Sequence, residues 1–422
     1  MALAGVRVLD LSERLSGAYS ARLMGDFGAD VLLVEPASGH ELRREPPFVG
    51  GNPSAERSLL HGMVNWNKRS LVHDMEADAA AVAELASGAD VLVTTAVRPW
   101  PAAVHSAVEA LPDDAVHLSV TAHGLEGPLA SVPGCSLTAC ARTGWAVING
   151  VNDMPPLQLP VRQVSYLGGV AGFLSATAAV YRGTGETVDV SEVEAVAMTS
   201  APWAFSNGIF PAFKDGEPLS DRFPKPGNCQ GGGSRGLEHG RSTPGPMLWP
   251  TNDGQINFGM GDWVLWDEAM DFLGLDDMID SIYTPTWGRY NHDLRPVVER
   301  LGDASQTFSK WEIFHGLAEL RCITGVVQNS EELLAFEQLQ AREFFVESTV
   351  DGVPFKAPGP ITRLSGTPWE LTSRAPVLGE HQGQSWLAPS VPRDPIPGES
   401  DSFPIYPAPF AVSLTRQAFS QR

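Results

Sequence analysis

Short apolar runs alternate with helical patterns through the first 125 residues of the chain. Residues 6–11 and 29–34 are apolar, β-branched runs typical of strands buried in a parallel sheet. Apolar residues at helical spacing lie between them, and Gly28 stands where such a helix should end. Because crossovers between parallel strands are right-handed, the pattern predicts a β-α-β unit with the two strands as parallel neighbours.

The same alternation continues along the chain. Further strands are predicted at 70–73, 90–94, 116–121 and 187–191, with helices at 75–87, 104–111 and 192–199. Strands that alternate with helices in this way predict an α/β fold with a Rossmann-like, open parallel sheet. The weakly polar run 166–181 is shorter than a membrane span and rich in small residues, so we expect a helix packed closely against other protein.

The composition changes after residue 210. Residues 210–250 are dense in Gly, Pro and Ser and predict a long loop. A strand at 255–260 and helices at 263–274 and 293–301 predict a smaller α/β domain, and 309–346 is predicted to be helical. The expected domains are a large one over 1–210, a linker and small domain over 211–330, a return to the large domain over 331–390, and a Pro-rich extended tail over 391–422.

Composition narrows the function classes. The 422 residues carry 29 Lys plus Arg against 50 Asp plus Glu, a net charge of −21, which disfavours nucleic-acid or anionic-membrane partners. Four cysteines do not form a disulfide framework, and no His/Cys cluster has the spacing of a metal site. The first residues lack a signal-peptide pattern. We therefore expect a cytoplasmic protein without a bound metal.

The common nucleotide and hydrolase motifs are absent. No GxGxxG follows the first strand, where the loop reads Leu-Ser-Glu-Arg-Leu-Ser-Gly over 11–17. The chain also lacks the GxxxxGK[ST] phosphate loop and the GxSxG nucleophile elbow. The predicted sheet therefore has to serve another chemistry.

A series of short motifs, in order over residues 1–385, points to a different chemistry for the predicted sheet. The segment 25–36, Gly-Asp-Phe-Gly-Ala-Asp-Val-Leu-Leu-Val-Glu-Pro, resembles the opening of the class III CoA-transferase family (CaiB/BaiF, formyl-CoA transferase-like). Further matching segments are 3–12, 67–70, 88–93, 184–191, 227–233, 336–345, 364–368 and 375–381. The resemblance implies a Rossmann-like large domain built from both chain ends, a small inserted domain, and two chains interlocked as a dimer.

The resemblance also implies a chemistry. Family members move CoA between an acyl-CoA and a carboxylic acid, or racemise or isomerise acyl-CoA thioesters, and CoA is a substrate rather than a tightly bound cofactor. Gly231, Gly232 and Gly233 match the glycine loop over the active site of the formyl-CoA transferase branch. Backbone N–H groups of such a loop can approach an oxyanion without a Cβ in the way, although a flexible linker would have the same composition.

The expected catalytic side chains are changed. Ser165 stands where the resemblance places the acyl-accepting aspartate, and Cys135 stands where the racemase branch has a histidine. A serine ester has a far more basic leaving group than an aspartyl anhydride, so a second exchange would stall or end in hydrolysis. Racemisation needs two titrating groups at the α-carbon, so the racemase alternative is disfavoured. Cys135 could equally be a packed small residue, and His123 is interpreted as an ordinary loop residue.

Some cations remain suited to the phosphates of CoA. They are Arg43, Arg44, Lys68, Arg69 and Arg98, and each could equally be a solvated surface charge. Two functions stay open on the sequence. The chain is either an acyl-CoA enzyme with an altered site, or a catalytically silent subunit that pairs with an aspartate-bearing relative in a heteromer instead of a homodimer.

Overall fold

The structure of the chain is a computed structural model. A six-stranded parallel sheet forms within residues 7–191. The structure describes residues 1–143, 145–148, 158–199, 248–258, 265–279 and 295–387. The sheet has the order β3-β2-β1-β4-β5-β6 and every neighbouring pair is parallel, which confirms the predicted Rossmann-like sheet. Its strands are β1 Arg7–Leu11, β2 Asp30–Glu35, β3 Lys68–Val72, β4 Val91–Thr94, β5 Val116–Thr121 and β6 Glu186–Ser191.

Helices cover both faces of this sheet because alternate strand residues point to opposite sides. Val8 belongs to the core beneath α1 and α7, whereas Leu9 belongs to the core beneath α3 and α4. The helices of this part are α1 Leu15–Asp26, α2 Leu59–Val64, α3 Ala79–Ala86, α4 Ala102–Ala110, α5 Ser136–Arg142, α6 Trp145–Ile148, α7 Gln163–Arg182 and α8, residues 192–199.

Helix α7 packs unusually close to α1. An added Cβ on Gly169 would lie 2.9 Å from the Ser16 carbonyl oxygen, and one on Gly172 would lie 2.6 Å from Ser20 Oγ. The predicted packing of this small-residue helix against protein is confirmed. By length and composition alone, Pro160–Arg182 is also the one described helical segment that could cross a membrane. Its glycine face lies against α1 and its Ala176 joins the core under β5.

A second core lies in the region expected to form the small domain. Strands β7 Leu248–Thr251, β8 Gly254–Phe258 and β9 Thr324–Val326 form an antiparallel sheet. Trp249, Ile256 and Phe258 of this sheet pack with three helices. These helices are α9 Trp266–Phe272, α10 Arg295–Ser305 and α11 Lys310–Glu319. The loop expected at 210–250 lies outside the described residues except for its end, which is strand β7.

The helical prediction for 309–346 is wrong in part. Three short helices form there, α11, α12 Ser330–Ala335 and α13 Glu337–Ala341, but β9 interrupts them. An antiparallel hairpin follows, β10 Phe345–Val350 and β11 Val353–Pro358. The hairpin contacts α2, and His381 donates its backbone N–H to the Ser70 carbonyl at 3.0 Å. The domain boundaries at 210 and 390 fall outside the described residues and stay predictions.

Candidate active site

Ser165 lies at the edge of the sheet where the parallel strands end. It is the third residue of α7 and is only 6% exposed. Its Oγ lies 3.4 Å from Ser136 Oγ, at the first residue of α5. Ligand sites of open parallel sheets form at this carboxyl edge, because loops and helix starts converge there. The structure therefore brings Ser165 together with the residues that precede α5.

Cys135 caps the start of α5 and is exposed. Its backbone N–H donates to Thr138 Oγ1 at 2.9 Å. The hydrogen bond that Sγ accepts from the backbone N–H of Thr138 lowers the pKa of the thiol, as helix starts do for thiolates. The predicted site residues Cys135 and Ser165 are thus neighbours, because Ser136 contacts Ser165 directly.

A partly buried ion pair adjoins these residues. Arg14, three residues after β1, donates through Nη2 to Glu192 Oε2 at 2.6 Å and through Nη1 to the Gly134 carbonyl at 2.5 Å. Glu192 is the first residue after β6 and is fully buried. A Cβ on Gly168, one turn after Ser165, would lie 3.1 Å from Glu192 Cγ. The glycine at 168 therefore leaves room for the glutamate beside the start of α7.

His123 also reaches this edge. It lies two residues after β5, and its Nε2 is buried without a hydrogen-bond partner among the described residues. A Cβ on Gly134 would lie 3.2 Å from that nitrogen. Burial, and then the positive charges of Arg142 and Arg14, lower the pKa of His123, so the ring is neutral near pH 7. His123 lies in the loop after β5, as expected, and that loop brings it beside Gly134, the residue before Cys135.

Sequence reasoning missed Arg14 and Glu192 and set His123 aside as a loop residue, although the positions of all three were a signal. Each follows within three residues of a predicted parallel strand. Carboxyl ends of parallel strands meet at one edge, so side chains just after them are candidates for a shared site.

Arg43 has a structural role in this chain. Its guanidinium is fully buried and pairs with Glu35 through Nε to Oε2 at 2.6 Å and Nη2 to Oε1 at 2.8 Å. It also contacts Glu56 Oε2 at 2.9 Å and the Pro376 carbonyl at 3.0 Å. A guanidinium with its donors committed to buried acceptors cannot reach a CoA phosphate, which corrects the expected contact.

Lys68 requires the same correction. Its Nζ is fully buried and donates to Asp10 Oδ2 at 2.8 Å, the Ala18 carbonyl at 2.7 Å and Asn65 Oδ1 at 2.8 Å. An ammonium group has three donors, so none is left for a phosphate. Burial lowers the pKa of Lys68, and the Asp10 carboxylate works against that shift.

The remaining predicted cations lie on different edges. Arg69 pairs with both oxygens of Asp30, at the amino ends of β2 and β3, so it lies on the edge opposite Ser165. Arg44 is exposed beside a cavity of about 410 Å³ at the carboxyl ends of β1 and β2. Arg98 follows β4 and lies exposed with its guanidinium 4.9 Å from the Trp100 ring centre. Gly231, Gly232 and Gly233 lie outside the described residues.

The sequence model of CoA-transferase family III matches residues 3–382. The chain belongs to CoA-transferase family III. This confirms the family resemblance and makes the chain a CoA-transferase-like enzyme that acts on acyl-CoA. Within the described residues, no group of three or more His, Cys, Asp or Glu side chains could hold a metal ion.

Curated relatives of this family III chain span most of its length. It is 30% identical to the succinyl-CoA:(R)-benzylsuccinate CoA-transferase subunit BbsE of Thauera aromatica, over 89% of this chain and 91% of that one. It is 27% identical to the formyl-CoA:oxalate CoA-transferase of Streptomyces coelicolor, over 92% and 94%. A solved CaiB/BaiF family protein from Brucella suis has the same fold, with a TM-score of 0.71, 20% identity, and coverage of 90% and 97%.

Proposed function

We propose that this chain exchanges CoA between an acyl-CoA thioester and a carboxylic acid by a route in which residue 165 is not the acyl acceptor. The supporting observation is that Ser165 is buried at the start of α7. Its Oγ lies 3.4 Å from Ser136 Oγ. A hydroxyl there can line the acyl pocket and donate a hydrogen bond. It cannot form the anhydride that makes repeated exchange fast.

The test is direct measurement of exchange. The purified chain is given succinyl-CoA and a panel of carboxylic acids, and new acyl-CoA products are followed by mass spectrometry. We expect exchange by the chain alone. Exchange that appears only after a second family III chain is added would overturn the proposal.

Replacing Ser165 with alanine tests its role within this proposal. Loss of one hydrogen bond is worth about 1 kcal/mol, so kcat/KM for exchange should fall by no more than about 10-fold. The matched change Ser136→Ala removes the hydroxyl that faces Ser165 and should have a similar effect. A loss of about 1,000-fold on Ser165→Ala alone would identify Ser165 as the acyl acceptor and contradict the proposal.

A silent subunit is the second candidate, and one observation favours it. The 30% identical relative from Thauera aromatica is named as a subunit, which implies a partner chain for that protein. If the present chain is silent, it is inactive alone and becomes active when mixed with an aspartate-bearing family member. The variant Ser165→Asp would then gain exchange by itself if the rest of its pocket is intact.

We also propose that CoA phosphates bind at the carboxyl edge near Arg44 and Arg98. Both guanidinium groups are exposed, and Arg44 faces the cavity between the ends of β1 and β2. An anion in that position would lie on the same edge of the sheet as Ser165. Charge reversal at either arginine should raise KM for acyl-CoA more than it lowers kcat.

Association with a second chain is proposed through the outer face of α7. Val170, Leu174 and Tyr181 are 36%, 67% and 63% exposed and recur at helical spacing, which leaves an apolar stripe open in the single chain. Leu174→Glu should shift the protein from dimer towards monomer in size-exclusion light scattering. The control Ala80→Glu places the same charge on the exposed side of α3 and should leave the mass unchanged. A wild-type monomer would contradict the proposal.

A further inference from the structure

The proposed exchange leaves one chemical requirement unmet by Ser165. A CoA-transferase that forms an acyl-enzyme needs a carboxylate, because only an anhydride of the enzyme is readily attacked by the CoA thiolate. The residue that supplies this group should lie against the start of α7. This requirement rests on the proposed function.

Glu192 meets the positional requirement. Ser165 and Gly168 lie one turn apart on the buried face of α7. A Cβ on Gly168 would lie 3.1 Å from Glu192 Cγ, so the glutamate side chain occupies space that any larger residue at 168 would take. Its carboxylate is therefore held beside the helix face that carries Ser165.

The two oxygens of Glu192 differ. Oε2 accepts a hydrogen bond from Arg14 Nη2 at 2.6 Å, which fixes the position of the carboxylate. Oε1 is buried and has no hydrogen-bond partner among the described residues. A buried acceptor without a donor is costly, and a purely structural ion pair would be expected to satisfy both oxygens. A ligand contact at Oε1 would account for the arrangement.

Contacts with two other loops hold the Arg14–Glu192 ion pair in position. Arg14 is held by the Gly134 carbonyl at 2.5 Å and donates its backbone N–H to Thr95 Oγ1 at 3.3 Å. Its side chain is one quarter exposed, whereas Glu192 is fully buried. Arg14 is therefore the member of the pair that solvent reaches.

We propose that Glu192 is the acyl-accepting carboxylate and that Arg14 is its positioning residue. Oε1 attacks the thioester carbonyl carbon, the carbon–sulfur bond breaks, and CoA leaves as a thiolate. The mixed anhydride is attacked by that thiolate at the Glu192 carbonyl, which releases the first carboxylic acid and leaves an enzyme thioester. The second acid attacks this thioester and frees the thiolate, which then takes the new acyl group and regenerates Glu192.

The experiment traps the enzyme thioester in the full chain. The protein is incubated with succinyl-CoA and reduced with borohydride, which converts a glutamyl thioester to a primary alcohol, and peptides are mapped by mass spectrometry. We expect the alcohol at Glu192 in the wild type and in Ser165→Ala. Glu192→Gln should lose exchange by at least about 100-fold. The matched control Glu194→Gln, on the exposed side of the same helix, should keep it.

The possible outcomes distinguish the role of Glu192 from the proposed exchange of CoA. Wild-type exchange with reduction at another residue, or with an acyl group found on Ser165 or Cys135, overturns the role of Glu192 and leaves the proposed function standing. Exchange by Glu192→Gln within about 3-fold of wild type has the same meaning. A wild-type chain that exchanges no acyl-CoA alone overturns both. Because trapping uses the wild type, a folding defect in the variant does not affect the result.

Discussion

Replacing Lys68 with methionine should lower the free energy of unfolding by about 3–5 kcal/mol. The ammonium group is fully buried against Asp10 Oδ2 at 2.8 Å, and Asp10 Oδ1 also accepts the Ser12 backbone N–H at 3.0 Å. Methionine fills the space but leaves the Asp10 carboxylate without its counter-ion inside the protein. Urea unfolding followed by circular dichroism measures the loss.

The matched control is Arg98→Met. That guanidinium is exposed over the Trp100 ring, so its loss should change the free energy of unfolding by no more than about 0.5 kcal/mol. The double variant Asp10→Asn with Lys68→Met should recover part of the loss, because the unpaired charge is gone. A decrease below about 1 kcal/mol for Lys68→Met would contradict the interpretation of a buried, paired ammonium.

The sequence could not assign Lys68 and Arg43 because their partners are distant or ambiguous along the chain. Asp10 lies 58 positions before Lys68, on a strand two places away in the sheet order. A Lys or Arg near a predicted strand has the same local pattern whether it meets a phosphate or a buried carboxylate. The choice depends on which side chains the sheet stacks together, and local pattern does not contain that information.

The four inner strands of the large sheet, β1, β2, β4 and β5, were predictable because burial on both faces leaves a nearly continuous apolar run. The predicted strand at 116–121 has the bounds of β5 in the structure. The sequence analysis missed the hairpin of β10 and β11, although its turn has a recognisable sequence. Asp351 and Gly352 have φ of +51° and +72°, and an Asp-Gly pair between alternating residues is the usual signal for such a two-residue turn.

The sequence predicted where the candidate site lies but not all of the residues that form it. Ser165 and Cys135 came from the family resemblance, and the structure connects them through Ser136. Arg14 and Glu192 follow β1 and β6, which are separated by two strands in the sheet. Their contact depends on the long reach of both side chains and on the missing Cβ at Gly168. No local pattern encodes that combination.

Acid should destabilise the protein partly through His117. This residue is buried on β5, with Nε2 2.9 Å from Thr94 Oγ1, and burial lowers its pKa from 6.5 to about 4. Because the folded state favours the neutral ring, its contribution is fully present above pH 6.5 and is lost as the pH falls through about 4. The lowered pKa of His117 corresponds to a decrease of about 3 kcal/mol in the free energy of unfolding at pH 4.

His117→Gln isolates this contribution, because the amide can still bond Thr94 Oγ1 but cannot take up a proton in this range. The wild type should lose about 3 kcal/mol relative to this variant between pH 7.5 and pH 4, measured by urea unfolding at each pH. Other acid-sensitive groups, such as Asp26, act equally in both proteins and cancel in the difference. The control His105→Gln makes the same substitution at an exposed ring on α4 and measures the effect of replacing a histidine with glutamine outside the buried site. Parallel curves for His117→Gln and the wild type would mean that the buried ring accepts a proton in the folded state as readily as in the unfolded chain.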